Sequence, residues 1–370
     1  WSYPGQVPVT IPAESFFTTD TTTMVGVSLE GVAGNDVLIG GAGSDLIEGG
    51  EGDDTLKGRG GADRIIGGAG EDDITGGADN DIITGGSGDD QIRGNAGDDY
   101  LSGGLDQDTL YGGMGNDEIL GGTEDDRLYG GLGDDRLGGN SGSDTLEGGM
   151  GDDTITGGDG QDTVVFAGNK GDFTFEVAGD GTLTVTDLNT QTVLGVDTIS
   201  GVETLSFNDG DLTVTTAQDG YVTLTGTGAD DDVTVVGSTA VTLEGVDGAD
   251  TLTGGDGADT ITGAAGDDIL EGGMGDDTIT GGDGQDTVVF AGNKGDFTFE
   301  VAGDGTLTIT DLNTQTALGV DTISGVETLR FNDGDLTVTT AQDGYVTLTG
   351  TGADDDVTVV GSTAVTLEGV

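Results

Sequence analysis

The chain has no histidine and no cysteine, three prolines, one tryptophan, and only 9 basic residues against 71 acidic ones among 370. Each shortage excludes something. Within these residues there is no disulfide, no zinc site built on thiolate or imidazole, no cysteine nucleophile and no Ser-His-Asp triad. A formal net charge of −62 repels phosphate backbones and anionic headgroups, so the expected partners are cations, not nucleic acid. No run of 18 apolar residues is present, which argues against membrane insertion by a helix. No charged-then-apolar leader opens the chain at Trp1, and that is not taken to mean a cytoplasmic location. All three prolines, Pro4, Pro8 and Pro12, fall in the first twelve residues, which reads as an extended segment. The rest lacks the residue that β-ladders tolerate least.

What is there in excess is glycine, 78 residues. With high charge and few aromatics it would ordinarily suggest disorder. The order of the glycines says otherwise. From Gly31 to Val165 the chain divides without a gap into 15 nonapeptides, GVAGNDVLI, GGAGSDLIE, GGEGDDTLK and onward to GGDGQDTVV. The first position is Gly and the sixth Asp in all 15, and the eighth is always Leu, Ile or Val. Five more units run from Gly245 to Val289. A flexible linker has no reason to keep an aliphatic residue at one phase of nine.

Glycine accepts positive φ, so the first four positions are expected to turn sharply and bring carbonyls inward. The eighth position is expected in a strand of about three residues, too short to bury its face alone, so successive turns must stack into one aliphatic seam. Two nonapeptides make one coil, and units of like parity stack at about 4.8 Å. Sixth-position carboxylates at that spacing repel by roughly 1 kcal/mol per pair even at water's dielectric. A divalent cation between turns reverses the sign. The ligands on offer, carboxylates and carbonyls in an adaptable loop, suit Ca²⁺ better than Mg²⁺. Without the ion the chain is expected to be unfolded.

These units resemble the G-G-x-G-x-D-x-U-x repeat of the RTX, or hemolysin-type calcium-binding, proteins. The resemblance covers Gly31–Val165 and Gly245–Val289 and implies a parallel β-roll with Ca²⁺ between turns, type I secretion in an unfolded state, and folding outside a Gram-negative cell. Carried over position by position, the implied ligands are Asp36, Asp45, Asp54, Asp63, Asp72, Asp81, Asp90, Asp99, Asp108, Asp117, Asp126, Asp135, Asp144, Asp153, Asp162, Asp250, Asp259, Asp268, Asp277 and Asp286. One ion for each pair of like-parity neighbours gives at most about 16 ions. Some units depart from the pattern: the second position is Val32, Arg59, Asn95 or Asn140, and the fourth Asp79, Asp106 or Glu124. Val and Arg tolerate positive φ poorly, so weaker calcium is expected near Val32 and Arg59. Acids outside the sixth position are expected to serve solubility.

After Val165 the period stops. DFTFEV and TLTVTDL around AGDG read as a hairpin, and DTISGVETLSFNDGDLTV as two further strands. This passage resembles the small β domain that follows the repeats in serralysin-type exoproteins. The fold class expected is all-β, a parallel β-roll alternating with small β-sandwich-like domains. The divisions are 1–30 (extended segment and cap, with Leu29 in phase), 31–165, 166–244, 245–289 and 290–370. Residues 146–246 and 270–370 are near-identical, differing only at Val185/Ile309, Val193/Ala317 and Ser206/Arg330.

Such a duplication suits a structural segment of a larger surface protein, an adhesin stalk, surface-layer subunit or filament, and the chain itself is not expected to be an enzyme. The competing expectation is the secretion and folding region of an exported enzyme or toxin. Outward positions of even-numbered units supply Leu46, Ile66, Ile82, Tyr100 and Leu120, a candidate face for self-association or a neighbouring module.

Overall fold

The computed structural model describes residues 9–10, 16–18, 26–189, 194–217, 220–313, 318–340, 346–350, 357–360 and 365–368. It is β throughout. The helical content among these residues is two single 3-10 turns, Lys170–Asp172 and Lys294–Asp296, and no helix is long and apolar enough to cross a membrane. The expected 1–30 segment lies largely outside the described residues. The chain divides into two compact units: one runs up to Phe166 and adds Asn189–Ser206, and the other holds Ala167–Leu188 and everything from Phe207 on.

In the first unit the nonapeptides wind as a parallel roll. Each strand pairs with the strand 18 residues on, Ile47 with Ile65, Ile65 with Ile83, Leu101 with Ile119. The intervening units build the opposite sheet in the same way, Leu56 with Ile74, Ile92 with Leu110. Units of like parity do share a sheet. The strands are longer than expected, six residues rather than about three, as in Leu46–Glu51 and Thr109–Met114. They run on through the two glycines that open the next unit. The reason lies in the pleat: position eight and the following first-position glycine both point inward, and the ninth-position residue between them points out.

The eighth positions form the core. From Leu38 to Val164 each is at most 3 % exposed, and Leu29 of the cap extends the series at 1 %. Each such side chain contributes roughly 1.5–3 kcal/mol of hydrophobic stabilisation. Second and fourth positions carry the turn. Gly68, Gly70, Gly86 and Gly88 all have φ above +100°, and the departures obey the same backbone: Arg59, Asn95 and Asn140 at the second position and Asp79, Asp106 and Glu124 at the fourth have φ between +72° and +86°. Arg59 thus adopts the conformation it tolerates poorly, whereas Val32 is not among the positive-φ residues.

The second unit contains a roll of the same kind. Asp232–Val236, Thr251–Gly255, Ile269–Gly273 and Thr287–Val289 stack in parallel in one sheet. Val222–Thr225, Val241–Asp247, Thr260–Ala265 and Thr278–Asp283 stack in the other. Both expected hairpins form, Phe173–Val177 with Leu183–Asp187 and Phe297–Val301 with Leu307–Asp311. The strands after the second hairpin rejoin the roll. Val320–Ser324 pairs in parallel with Thr278–Asp283, and Thr328–Phe331 with Thr287–Val289. In the first unit Val196–Ser200 and Thr204–Ser206 return onto Thr154–Asp159 and Thr163–Val165 in the same way.

The seam is the test of this architecture. Leu101→Ala removes a fully buried link, and an expected cost of about 2–5 kcal/mol should appear in urea unfolding in calcium, with Tyr100→Thr on the outer face nearly neutral.

Candidate metal centre

All twenty sixth-position aspartates are buried, none more than 3 % exposed. Their geometry repeats, except that Asp45 Oδ2 and Asp259 Oδ2 also accept the N–H of Gly41 and Gly255, at 2.7 and 2.8 Å. One carboxylate oxygen accepts the backbone N–H of the residue one coil earlier: Asp72 N–H donates to Asp90 Oδ1 at 2.8 Å and Asp90 N–H to Asp108 Oδ1 at 2.8 Å. The other oxygen, from Asp54 and Asp63 through Asp162 and in Asp250, Asp268, Asp277 and Asp286, has no hydrogen-bond partner among the described residues. It lies against the first-position glycine of its own unit, and in most coils a glycine carbonyl of the next coil borders the same spot. For Gly94 these neighbours are Asp99 Oδ2 and Gly112 O. A Cβ on Gly94 would overlap the carboxylate. This corrects the reason given above for the first glycine. It is not at positive φ; it leaves room for the buried acid.

A buried acceptor oxygen with no donor costs free energy unless something positive meets it. Among the described residues no three carboxylates converge as a metal cluster; what most coils bring together is an unpartnered carboxylate oxygen and a glycine carbonyl. Those are hard oxygen donors in a cradle kept open by glycine, and they fit Ca²⁺. The resemblance to RTX repeats implies this ion, and the residues present agree with it.

The electrostatics also correct the expected cause. Burial, ahead of repulsion between neighbours, pushes the carboxyls above their ordinary 3.8: Asp63 and Asp108 up to about 8, Asp81, Asp90, Asp126 and Asp135 to about 7. Like-charged neighbours, such as Asp81 and Asp45 for Asp63, add to it.

Several participants were not foreseen. Fifth-position residues are not merely solubilising. Asn80, Asp98, Asn116 and Asp134 each accept the N–H of the residue one coil later, at 3.0–3.1 Å. The fifth position therefore reaches forward where the sixth reaches back, and a run of Asx residues at that phase was the available signal. Asp231, in the worn repeat Gly226–Thr234, is 1 % exposed and sits where a sixth-position acid belongs. Its counter-charge is a side chain of the protein itself: Lys170 Nζ, fully buried, forms ion pairs with Asp231 Oδ1 at 3.0 Å and Asp209 Oδ1 at 3.3 Å. At the far end of each roll Asp197 and Glu203, and Asp321 and Glu327, take the acceptor role beyond the last nonapeptide.

The five even-unit apolar residues share one sheet but form no continuous patch. Ile82 and Tyr100 are register neighbours, 47 % and 36 % exposed, but Arg64 separates Ile82 from Leu46 and Glu118 follows Tyr100. Ile66 and Leu120 lie in another file, separated by Thr84 and Ser102. A more continuous apolar file is on the opposite sheet, Met114, Leu132 and Met150.

The RTX calcium-binding nonapeptide repeat (4 copies) matches the chain in overlapping segments from 28–56 to 138–169, and again at 244–279 and 265–292. These cover just over half of the chain, which belongs to this family. A search of curated proteins finds no match. Among solved structures, the extracellular lipase LipA from Serratia marcescens is similar at 21 % identity with a TM-score of 0.20, over 64 % of this chain and 43 % of the lipase. The chain thus spans less than half the length of that lipase.

Two measurements probe the centre. Because the folded carboxyls titrate above the unfolded value, the cation-free roll holds more protons than the unfolded chain between about pH 4 and 8, and its stability falls as pH rises through that window. In chelator the β signal by circular dichroism should be larger at about pH 5 than at about pH 8; calcium should remove that dependence. Lys170→Met leaves Asp231 buried without its cation and should cost about 3–5 kcal/mol in calcium, much of it recovered by adding Asp231→Asn, as read by thermal unfolding of the two variants.

Proposed function

We propose that this chain is a calcium-dependent structural segment of a larger, type I-secreted extracellular protein, an adhesin stalk, surface-layer subunit or filament. Folding is switched on by Ca²⁺ outside the cell. The sixth-position aspartates are the ligands, with carbonyls of the glycine turns completing each site, and about 16 ions is the number that paired nonapeptides allow. The observation that carries the ligand assignment is the row of buried carboxylate oxygens without a donor among the described residues, most of them beside a glycine carbonyl of the next coil.

Support for a structural role comes from the duplication. The second copy repeats the roll's last turns, the hairpin and the return strands in order, a unit that adds end to end. The chain carries no chemistry of its own in this reading. The exposed file Met114–Leu132–Met150, with 56 %, 47 % and 47 % exposure, supplies one surface for packing between copies.

The test is a calcium titration with magnesium as control, followed by far-UV circular dichroism and light scattering. The expected outcome is cooperative β signal at about 0.1–1 mM Ca²⁺ and none with Mg²⁺, with large particles appearing in the same step. Monomers throughout would favour a secretion and folding region of an exoenzyme instead. A chain already folded in chelator at neutral pH would overturn the calcium dependence.

A further inference from the structure

The last two nonapeptides of each block have no like-parity successor in the sequence, yet their carboxylates are built like the rest. Asp153 and Asp162 are 1 % and 0 % exposed, and the Oδ2 of each is buried without a hydrogen-bond partner among the described residues. What lies above them comes from beyond the repeat. Asp153 N–H donates to Asp197 Oδ1 at 3.0 Å, a separation of 44 residues instead of 18. Asp162 N–H donates to Glu203 Oε2 at 2.9 Å, 41 residues on.

The backbone returns in phase as well. Gly201 O occupies the spot beside Gly157 and Asp162 Oδ2 that Gly157 O occupies beside Gly139 and Asp144 Oδ2 one coil earlier. Ile199 and Leu205 continue the buried seam at 1 % and 0 % exposure. The second copy repeats every element: Asp277 N–H to Asp321 Oδ1 at 3.0 Å, Asp286 N–H to Glu327 Oε2 at 3.0 Å, and Gly325 O beside Asp286 Oδ2.

We propose that the return segments Gly195–Ser206 and Gly319–Arg330 complete one further coil of calcium sites at the end of each roll, with Asp197, Glu203, Asp321 and Glu327 as ligands that the nonapeptide pattern does not predict. The inference rests on the calcium-binding reading above. At the second position of this coil the acceptor is the longer Glu, and its separation from its partner is 41 residues against 44 for Asp197 and Asp153.

The consequence is a coupling between ion binding and the non-repeat strands. In the second unit the ligand-bearing strand Val320–Ser324 is also the antiparallel partner of the hairpin strand Leu307–Asp311. Thr328–Phe331, which follows Glu327, places Phe331 against Phe290 and Phe297 at centroid separations of 5.2 and 5.4 Å. Calcium at this coil therefore fixes the hairpin and its phenylalanine cluster, and the excursion folds only when the row of ions is closed above it.

The experiment compares the full chain with Asp197→Asn/Glu203→Gln and with Asp321→Asn/Glu327→Gln. Asn and Gln keep the oxygen that accepts the backbone N–H, so a purely structural role predicts no change in bound metal. Bound Ca²⁺ is counted by equilibrium dialysis with elemental analysis, and hydrogen exchange is followed over 297–311 and 320–331 as calcium is raised. The expected result is a loss of about two ions per altered roll. Exchange over 297–311 in the second variant should be at least about tenfold faster at a calcium level that protects the nonapeptides, a factor corresponding to about 1.4 kcal/mol.

Unchanged stoichiometry and unchanged protection overturn the proposal while leaving the calcium-binding reading intact. A wild-type chain that neither binds nor responds to calcium removes both. Should a variant fail to fold, the unaltered chain still decides. Protection of 320–331 must rise in the same calcium step as that of Asp277 and Asp286; protection already present in chelator, or gained in a separate step, overturns the proposal.

Discussion

The structure depends on one constraint, a carboxylate buried in every nonapeptide, which in most of them has one oxygen committed to the backbone and the other facing no donor among the described residues. Desolvation is the main cost of that arrangement, ahead of repulsion between neighbours. On the ligand assignment proposed above, a cation between coils would meet the orphaned oxygens and offset both penalties at once, which would let so acidic a chain fold. The buried carboxylate also explains the first-position glycine, which must lack a Cβ because the acid occupies that space.

The hydrogen bonds give the roll its direction and its cooperativity. Sixth-position acids bond back one coil and fifth-position Asx residues bond forward one coil. Each coil therefore holds both neighbours by side chains as well as by the strand ladder, and a coil at either end lacks one of the two. The ends are handled differently. In the second unit a buried lysine, Lys170, supplies positive charge to Asp231. At the closing end, strands from outside the repeat bring their own acids.

The period of nine determined much of this protein by itself. An aliphatic residue at every eighth position and an aspartate at every sixth are local facts, and stacking at 18 residues follows from them; the parallel roll, the seam from Leu38 to Val164, the buried row from Asp36 to Asp162 and both hairpins were legible in the sequence. The tertiary structure alone decided what breaks the period. That the strands run through Gly49 and Gly50, that Asn80 and Asp98 staple coils, and that Lys170 reaches Asp231 depend on which atoms stacking brings together. Asp197 and Glu203 take their places only because a hairpin excursion ends where the next coil would begin. A repeat pattern records spacing along the chain, and after an insertion the spacing changes from 18 to 44 and 41 residues while the position in space does not.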